Sequence, residues 1–252
     1  MLTTITLILT TLVAVIVGVM IGAIGIGGVL LVPTLTYILG LGIHVAIATA
    51  MFTYLFSGAV GAFEYARQDS IRWSMALWLC LGGMPGAYLG AAMTWVTPGV
   101  ILEGLIGLLV LLSGLQALRG PSGTAESVAS LSPIPLVVIG LVTGFGSSIS
   151  GTGGPLVLIP ILIWMQVPIL TAVGLSQVIQ IPIALLATTG NLMFGRIEWL
   201  IGIGVAVLLM LGVIVGARIA HRVSRVTLKR FIAVALLLVG TSMLVRTITT
   251  LV

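Results

Sequence analysis

Long apolar runs separated by short polar breaks dominate this chain. In the first half they cover roughly 2–24, 29–40, 44–63, 74–96 and 100–118. In the second they cover roughly 134–150, 155–166, 170–189, 199–220 and 228–249. A helix needs about 20 residues to cross ~30 Å of hydrocarbon. Most runs therefore predict spanning helices, while 29–40 and 155–166 are too short to cross upright and 134–150 is marginal. Both of the shortest runs follow a glycine-rich string. This predicts a helix hairpin in each half whose glycine tip lies inside the membrane.

The two halves repeat one pattern. Gly25-Ile26-Gly27-Gly28-Val29-Leu30-Leu31-Val32-Pro33 in the first is answered by Gly151-Thr152-Gly153-Gly154-Pro155-Leu156-Val157-Leu158-Ile159-Pro160 in the second. Gly18 matches Gly144, Ile71-Arg72-Trp73 matches Ile197-Glu198-Trp199, Gly86 and Gly90 match Gly212 and Gly216, and Gly114 matches Gly240, all at a shift of 126. The expected organisation is a first membrane repeat over 1–119, a polar Gly/Ser/Pro-rich linker over 120–133, and a second repeat over 134–252.

Composition restricts the class. Only ten Lys/Arg and five Asp/Glu occur among 252 residues, 60% of the chain is hydrophobic, and the mean hydropathy is +1.35. So few charges cannot cover a soluble particle of this size. One cysteine, Cys80, excludes an internal disulfide and a Cys/His metal cluster. The net charge of +5 does not point to nucleic acid, because the basic residues are scattered over several loops without base-stacking aromatics. The first apolar stretch has no basic n-region and reads as a retained helix rather than a cleaved leader.

The basic residues report topology instead. Arg218, Arg222, Arg225, Lys229 and Arg230 form the densest cluster, which places loop 218–230 in the cytoplasm. Five elements per half then put Arg67, Arg72 and Arg119 on the same side and leave Arg196 and Arg246 outside, eight against two. Four elements in parallel orientation would give five against five. The fold expected is an all-α polytopic protein of the cell (inner or plasma) membrane, built of two inverted repeats of about five helical elements each. The hairpins would meet near the midplane, and both termini would be external.

Inverted repeats with glycine-interrupted helices at matching positions are the signature of a secondary transporter. Irregular backbone survives at membrane depth only where it lines a cavity or is buried in protein. Helix starts near Gly28 and Gly154 would offer unbonded N–H groups and a positive dipole end, which suits an anion without any charged side chain. The candidate substrate-binding residues are Gly25, Gly27 and Gly28 of the first tip and Ser147, Ser148, Ser150, Gly151, Thr152, Gly153 and Gly154 of the second. Thr49 and Thr53, with Ser176, Gln177 and Gln180, join them from the polar faces of the helices that follow. Each hydroxyl has two readings, bonding back to a helix carbonyl or lining the site; Thr49, Thr53, Ser57 and Ser176 have a third, as packing glue between helices. The two glutamines are costlier to bury without a role.

Other residues have plainer readings. His44 reads as an interfacial structural histidine, with a proton site as the rival. His221 sits in the basic loop and reads as solvated. Glu64, Asp69 and Glu198 fall in short loops where Arg67, Arg72 and Arg196 can pair with them, and Glu103 suits a helix N-terminus. Gly82, Gly83, Gly86, Gly90, Gly212 and Gly216 have small-residue spacing for close helix packing. Cys80 and the methionines read as packing. No carboxylate falls deep in a predicted span, which argues against a buried proton relay. An intramembrane enzyme would need a nucleophile with its base or a metal set, and neither is evident, so no catalytic residue, metal or cofactor is expected. A small anion and the bilayer are the expected partners, nucleic acid is not, and a homo-oligomer stays open.

The paired glycine motifs, with Ala48-Thr49 and Gly195-Arg196-Ile197-Glu198-Trp199, resemble the sulfite exporter TauE/SafE family of membrane permeases over essentially the whole chain. The resemblance implies transport of small anions, typically sulfite, sulfonates such as sulfoacetate, or related organosulfur compounds. Val29 and Pro155 depart from it, standing where such families often carry a third consecutive glycine, and so does Gly174-Leu175-Ser176, which replaces Ala48-Thr49 in the second copy. The reading that results is an anion transporter working by alternating access and leaning to export. The rival is a cation-coupled carrier of a carboxylate or a neutral solute.

Overall fold

The computed structural model describes residues 4–118, 132–220 and 225–251. The expected linker lies outside them except for Ser132 and Pro133, as do His221 and Arg222. The described elements are helical: α1 Thr4–Ile24, α2 Gly27–Ile38, α3 Ile43–Ala66, α4 Trp73–Val96, α5 Gly99–Leu118, α6 Pro133–Ser150, α7 Pro155–Trp164, α8 Ile169–Phe194, α9 Trp199–Ala220 and α10 Arg225–Leu251. Six of these, α1, α3, α4, α6, α8 and α9, are long and apolar enough to cross a membrane. At 1.5 Å per residue, the 24 residues of α3 reach about 36 Å.

The short elements fold back as hairpins. A Cβ built on Gly27 would lie 2.5 Å from the Val17 carbonyl and 2.7 Å from the Ile21 nitrogen, so the start of α2 lies along α1. Gly146 of α6 likewise faces Val157 of α7. The first hairpin reverses at Gly25, whose φ of +77° is a left-handed conformation that a side chain resists. Within α2 the helix is irregular: a 3₁₀ turn at Gly27–Leu30, one short α segment at Leu31–Pro33, then a π turn at Thr34–Ile38. Pro33 supplies no N–H to the preceding turn. Beside it the Thr34 hydroxyl bonds the Leu30 carbonyl at 2.7 Å.

Glycines decide which helices touch. α1 packs on α9 in parallel, with Gly18 against Leu209 and Gly212, and Gly22 against Val213 and Ala217. α6 packs on α4 in the same way, with Gly82, Gly86 and Gly90 against Val137, Leu141 and Phe145. A Cβ on Gly18 would sit 2.5 Å from the Leu209 carbonyl oxygen, so the backbones meet with no room for a methyl group. α3 crosses α8 antiparallel, with Gly58 against Gln180 and Gly61 against Gln177. α5 runs antiparallel to α10, with Gly107 against Met243 and Gly240 against Leu111.

Elements α1–α5 correspond in sequence to α6–α10. The main helix pairings turn into themselves when the halves are exchanged: α1–α9 becomes α6–α4, α3–α9 becomes α8–α4, and α3–α8 and α5–α10 map onto themselves. Each half's first helix thus packs on the fourth helix of the other half. The core is continuous across both halves and includes Val17, Ile21, Leu31, Ile47, Leu79, Leu158, Leu175 and Leu209. The outer surface is apolar, with Ile8, Leu77, Leu112, Leu200 and Val207 exposed. Trp73 and Trp199, the first residues of α4 and α9, are also exposed. Tryptophan at helix ends suits a membrane interface.

Candidate functional site

The two glycine tips meet. A Cβ on Gly28 would stand 2.9 Å from the Thr152 carbonyl oxygen, and one on Gly153 would stand 2.8 Å from the ring of Tyr54. Gly25 faces Ile159 and Pro155 of the second hairpin and lies close to the Ser176 hydroxyl. Gly151 lies against Val32 and Ile47. Gly151, Gly153 and Gly154 have φ of +65°, +79° and +110°, a run of left-handed backbone that turns α6 into α7. The meeting point lies about halfway along α3 and α8. Tyr54 is the twelfth of 24 residues in α3, and Gln180 is the twelfth of 26 in α8.

The polar side chains around this point divide by partner. Ser150 donates to the Gly146 carbonyl and shares a 3.0 Å bond with Thr152. Thr53 bonds back to Ala50 at 2.7 Å, and Ser176 bonds back to Val173 at 2.7 Å. For these groups the back-bonding role holds in this conformation. Ser147 and Ser148 are fully buried and make no hydrogen bond to protein, as does the Gln177 Oε1 atom. The Ser147 hydroxyl looks toward Gly154, whereas Ser148 packs its Cβ against Gly90 of α4. A buried hydroxyl without a partner is costly, and that of Ser147 lies near the start of α7.

The glutamines join the halves. Gln177 donates from Nε2 to the Ile21 carbonyl at 3.1 Å, and Gln180 donates to the Tyr54 carbonyl and to the Ser57 hydroxyl, each at 3.1 Å. Gly58 and Gly61 leave the space these amides need. Two tyrosines, not among the candidates, instead tie α3 to the first hairpin within one half. Tyr54 donates to the Gly28 carbonyl at 2.5 Å, and Tyr65 donates to the Gly22 carbonyl at 2.9 Å. Both are fully buried. The signal was present, since a tyrosine in an apolar span must find a partner for its hydroxyl.

Three expectations need correction. Thr49 does not reach the tips: its hydroxyl accepts the Glu198 N–H at 3.1 Å, at the start of α9. Thr49 and Thr53 share a helix face in sequence, but Thr49 serves the start of α9 while Thr53 bonds back within α3. Glu64 is not a loop residue paired with Arg67 or Arg72. It lies in the last turn of α3, is 8% exposed, and faces Arg218 of α9 at 3.6 Å. Arg196 does pair with Glu198, at 2.8 Å, as expected. The helix starting near Gly28 is not a regular α-helix, so its dipole is weaker than the second tip's. His44 is structural: Nε2 lies 3.0 Å from the Thr97 carbonyl, and the ring stacks on Trp95 at 5.5 Å between centroids.

All the candidate residues are buried, so the tips are occluded here. The described carboxylates, Glu64, Asp69, Glu103 and Glu198, lie at or near helix ends and in loops. The centre therefore holds backbone, hydroxyls and amides. A polytopic helical membrane protein with two broken hairpins meeting at such a centre belongs to the class of membrane transporters. The family described as Sulfite exporter TauE/SafE matches residues 10–243, and the chain belongs to it. Among its relatives is the probable membrane transporter protein YdhB of Bacillus subtilis (strain 168), 28% identical over 88% of this chain and 93% of its own length. Another is a probable membrane transporter protein of Xylella fastidiosa (strain 9a5c), 28% identical over 73% of this chain and 74% of its own. A third, MJ0441 of Methanocaldococcus jannaschii, also a probable membrane transporter protein, is 27% identical over 67% and 66%. No solved structure matches the chain.

Proposed function

We propose that this transporter carries small oxyanions, of the sulfite, sulfonate or related organosulfur class, by alternating access between two inverted halves, in the direction of export. The observation that carries this reading is the meeting of the two glycine tips halfway along α3 and α8, beside the unpartnered Ser147 hydroxyl and away from the described carboxylates. The first N–H groups of a helix have no partner within it, and here two helix starts converge. Gly27, Gly28, Gly153 and Gly154 would hold the anion through backbone N–H groups, Ser147 through its hydroxyl. Gln177 and Gln180 bind carbonyls in the occluded state and turn their amides to the anion as the halves part. Neutral donors bind without trapping, which suits a site that must also release. The antiparallel run of the equivalent helices α3 and α8, and of α5 and α10, supports the inverted relation.

Export follows from energetics. An inside-negative potential drives a monoanion outward with ~2.3 kcal/mol per 100 mV, without a coupled cation. The test is sulfite efflux from proteoliposomes. Wild-type protein is expected to release sulfite, and Ser147→Ala and Gln177→Ala to weaken sulfite affinity by about tenfold each, the worth of a hydrogen bond to a charged group. Unchanged affinity in both variants would remove the tips as the site.

A further inference from the structure

A polar cleft lies at one end of the molecule. Where α3 ends beside α9, Glu64, Arg67, Gln68 and Arg218 line an open cleft of about 410 Å³. The opposite end, where α8 finishes beside α4, is tied together by side-chain contacts. There Trp95 donates to the Asn191 side chain at 2.8 Å and stacks on His44, and Gly195 lies flat against its indole. We propose that the cleft is an antechamber that takes a small, singly charged oxyanion of the sulfonate or sulfite type before it reaches the hairpin tips. The assignment of this cargo rests on the transport reading given above; the cleft's preference for an anion rests on its own groups.

Among the lining residues, two guanidinium groups accompany one carboxylate, an excess of one positive charge. Arg67 makes no ion pair among the described residues and lies over the Phe63 ring, 5.6 Å from its centroid. Arg218 is 63% exposed and sits 3.6 Å from Glu64, longer than a well-formed charged hydrogen bond. Its planar fork therefore has N–H groups to offer an oxyanion, and Gln68 adds an amide. Glu64 forms the floor and competes with the ligand for Arg218. The cleft also adjoins the first hairpin. Tyr65, next to Glu64, bonds the Gly22 carbonyl, and the Ala217 nitrogen, next to Arg218, lies 2.8 Å from a Cβ built on Gly22. An apolar cluster of Tyr65, Ile71, Ile159, Val173 and Ala217, with Ile26 packed against it, lies beside the cleft. An anion that takes Arg218 from Glu64 loosens a tie between α3 of one half and α9 of the other, at the edge of that cluster.

The site is tested on the purified full-length protein by phenylglyoxal modification, read residue by residue by peptide mass spectrometry. The probe is methanesulfonate, compared with gluconate at equal ionic strength. Methanesulfonate should slow modification of Arg67 and Arg218 several-fold and leave Arg196 unchanged; equal rates in both anions overturn the proposal. A second readout is the KM for sulfite presented to the cleft face of oriented vesicles. Arg218→Gln should raise KM by about tenfold through loss of a charge-assisted hydrogen bond. Glu64→Gln should lower it by about threefold through loss of a competing partner. Maximal rates should change little. A purely structural ion pair would move both variants in the same direction, and that result also overturns the proposal. Protection of both arginines in a protein that releases no sulfite would refute the transport reading and leave the antechamber standing as an anion site.

Discussion

Replacing Tyr54 with phenylalanine removes one oxygen atom from the centre of the molecule. The ring fills the same space against Gly153, so no cavity opens, and the perturbation is confined to the bond that Tyr54 donates to Gly28. The Gly28 carbonyl is not orphaned, because it also accepts the Leu31 N–H. The full penalty of a buried unsatisfied acceptor, about 1–3 kcal/mol in a water-soluble core, therefore does not apply. The relevant scale is that of side-chain hydrogen bonds between membrane helices, about 0.6 kcal/mol on average and about 1.7 at most. That corresponds to roughly a 3- to 16-fold change in an equilibrium constant. The bond ties α3 to the first hairpin, so its loss should lower resistance to unfolding and favour states in which the tips part. Reversible unfolding in mixed SDS micelles, followed by tryptophan fluorescence, measures the first effect; sulfite exchange rates in vesicles measure the second. A loss above about 3 kcal/mol would mean that the ring itself moves, contrary to the packing described. No loss at all would mean that the phenol does not hold the hairpin.

The glycine contacts predict a graded response. Gly18→Ala, whose methyl group would meet the Leu209 carbonyl at 2.5 Å, should cost about 1–3 kcal/mol, and Gly144→Ala against Gly83 should behave alike. Gly204→Ala, with open space around it, should be neutral or stabilising by up to ~1 kcal/mol, and equal effects at all three positions would refute the close-packing account. Topology is open to single cysteines in a Cys80→Ser background: a membrane-impermeant thiol reagent should label Arg196→Cys in intact cells and Arg72→Cys only after permeabilisation. The reverse pattern would invert the orientation assigned from charge.

Much of the architecture is legible in the chain because the bilayer imposes it. Apolar runs of spanning length bounded by polar residues predict helices, and the ends observed fall within a few residues of the runs. α8 is the main exception, continuing to Phe194 rather than stopping near 189. Its extra turn is held where Asn191 accepts the Trp95 N–H, a contact between distant residues that no local pattern announces. The glycine tips were visible because Gly is required where backbone reverses at φ near +77° or passes within touching distance of another helix. The candidate site was legible as a list but not as a grouping. Thr49 and Thr53 are one turn apart, yet one serves the start of α9 and the other bonds back to its own helix.

Hydropathy, glycine spacing and the placement of so few charges determined by themselves that this is a helical membrane protein written in two copies, with an uncharged interior. Those properties are local: each follows from what a stretch of about 20 residues must do to sit in lipid. Only the tertiary structure decided that the halves interlock through α1–α9 and α6–α4, that Tyr54, Tyr65 and Gln177 bond carbonyls of the first hairpin while Gln180 bonds the Tyr54 carbonyl of α3, and that Glu64 faces Arg218 rather than its neighbour Arg67. Such partners come from opposite halves of the chain or from separate helices. The physical reason is that a broken helix leaves backbone groups unsatisfied without specifying who will satisfy them. The partner is whichever donor the packing brings within about 3 Å, and packing is a property of the whole fold.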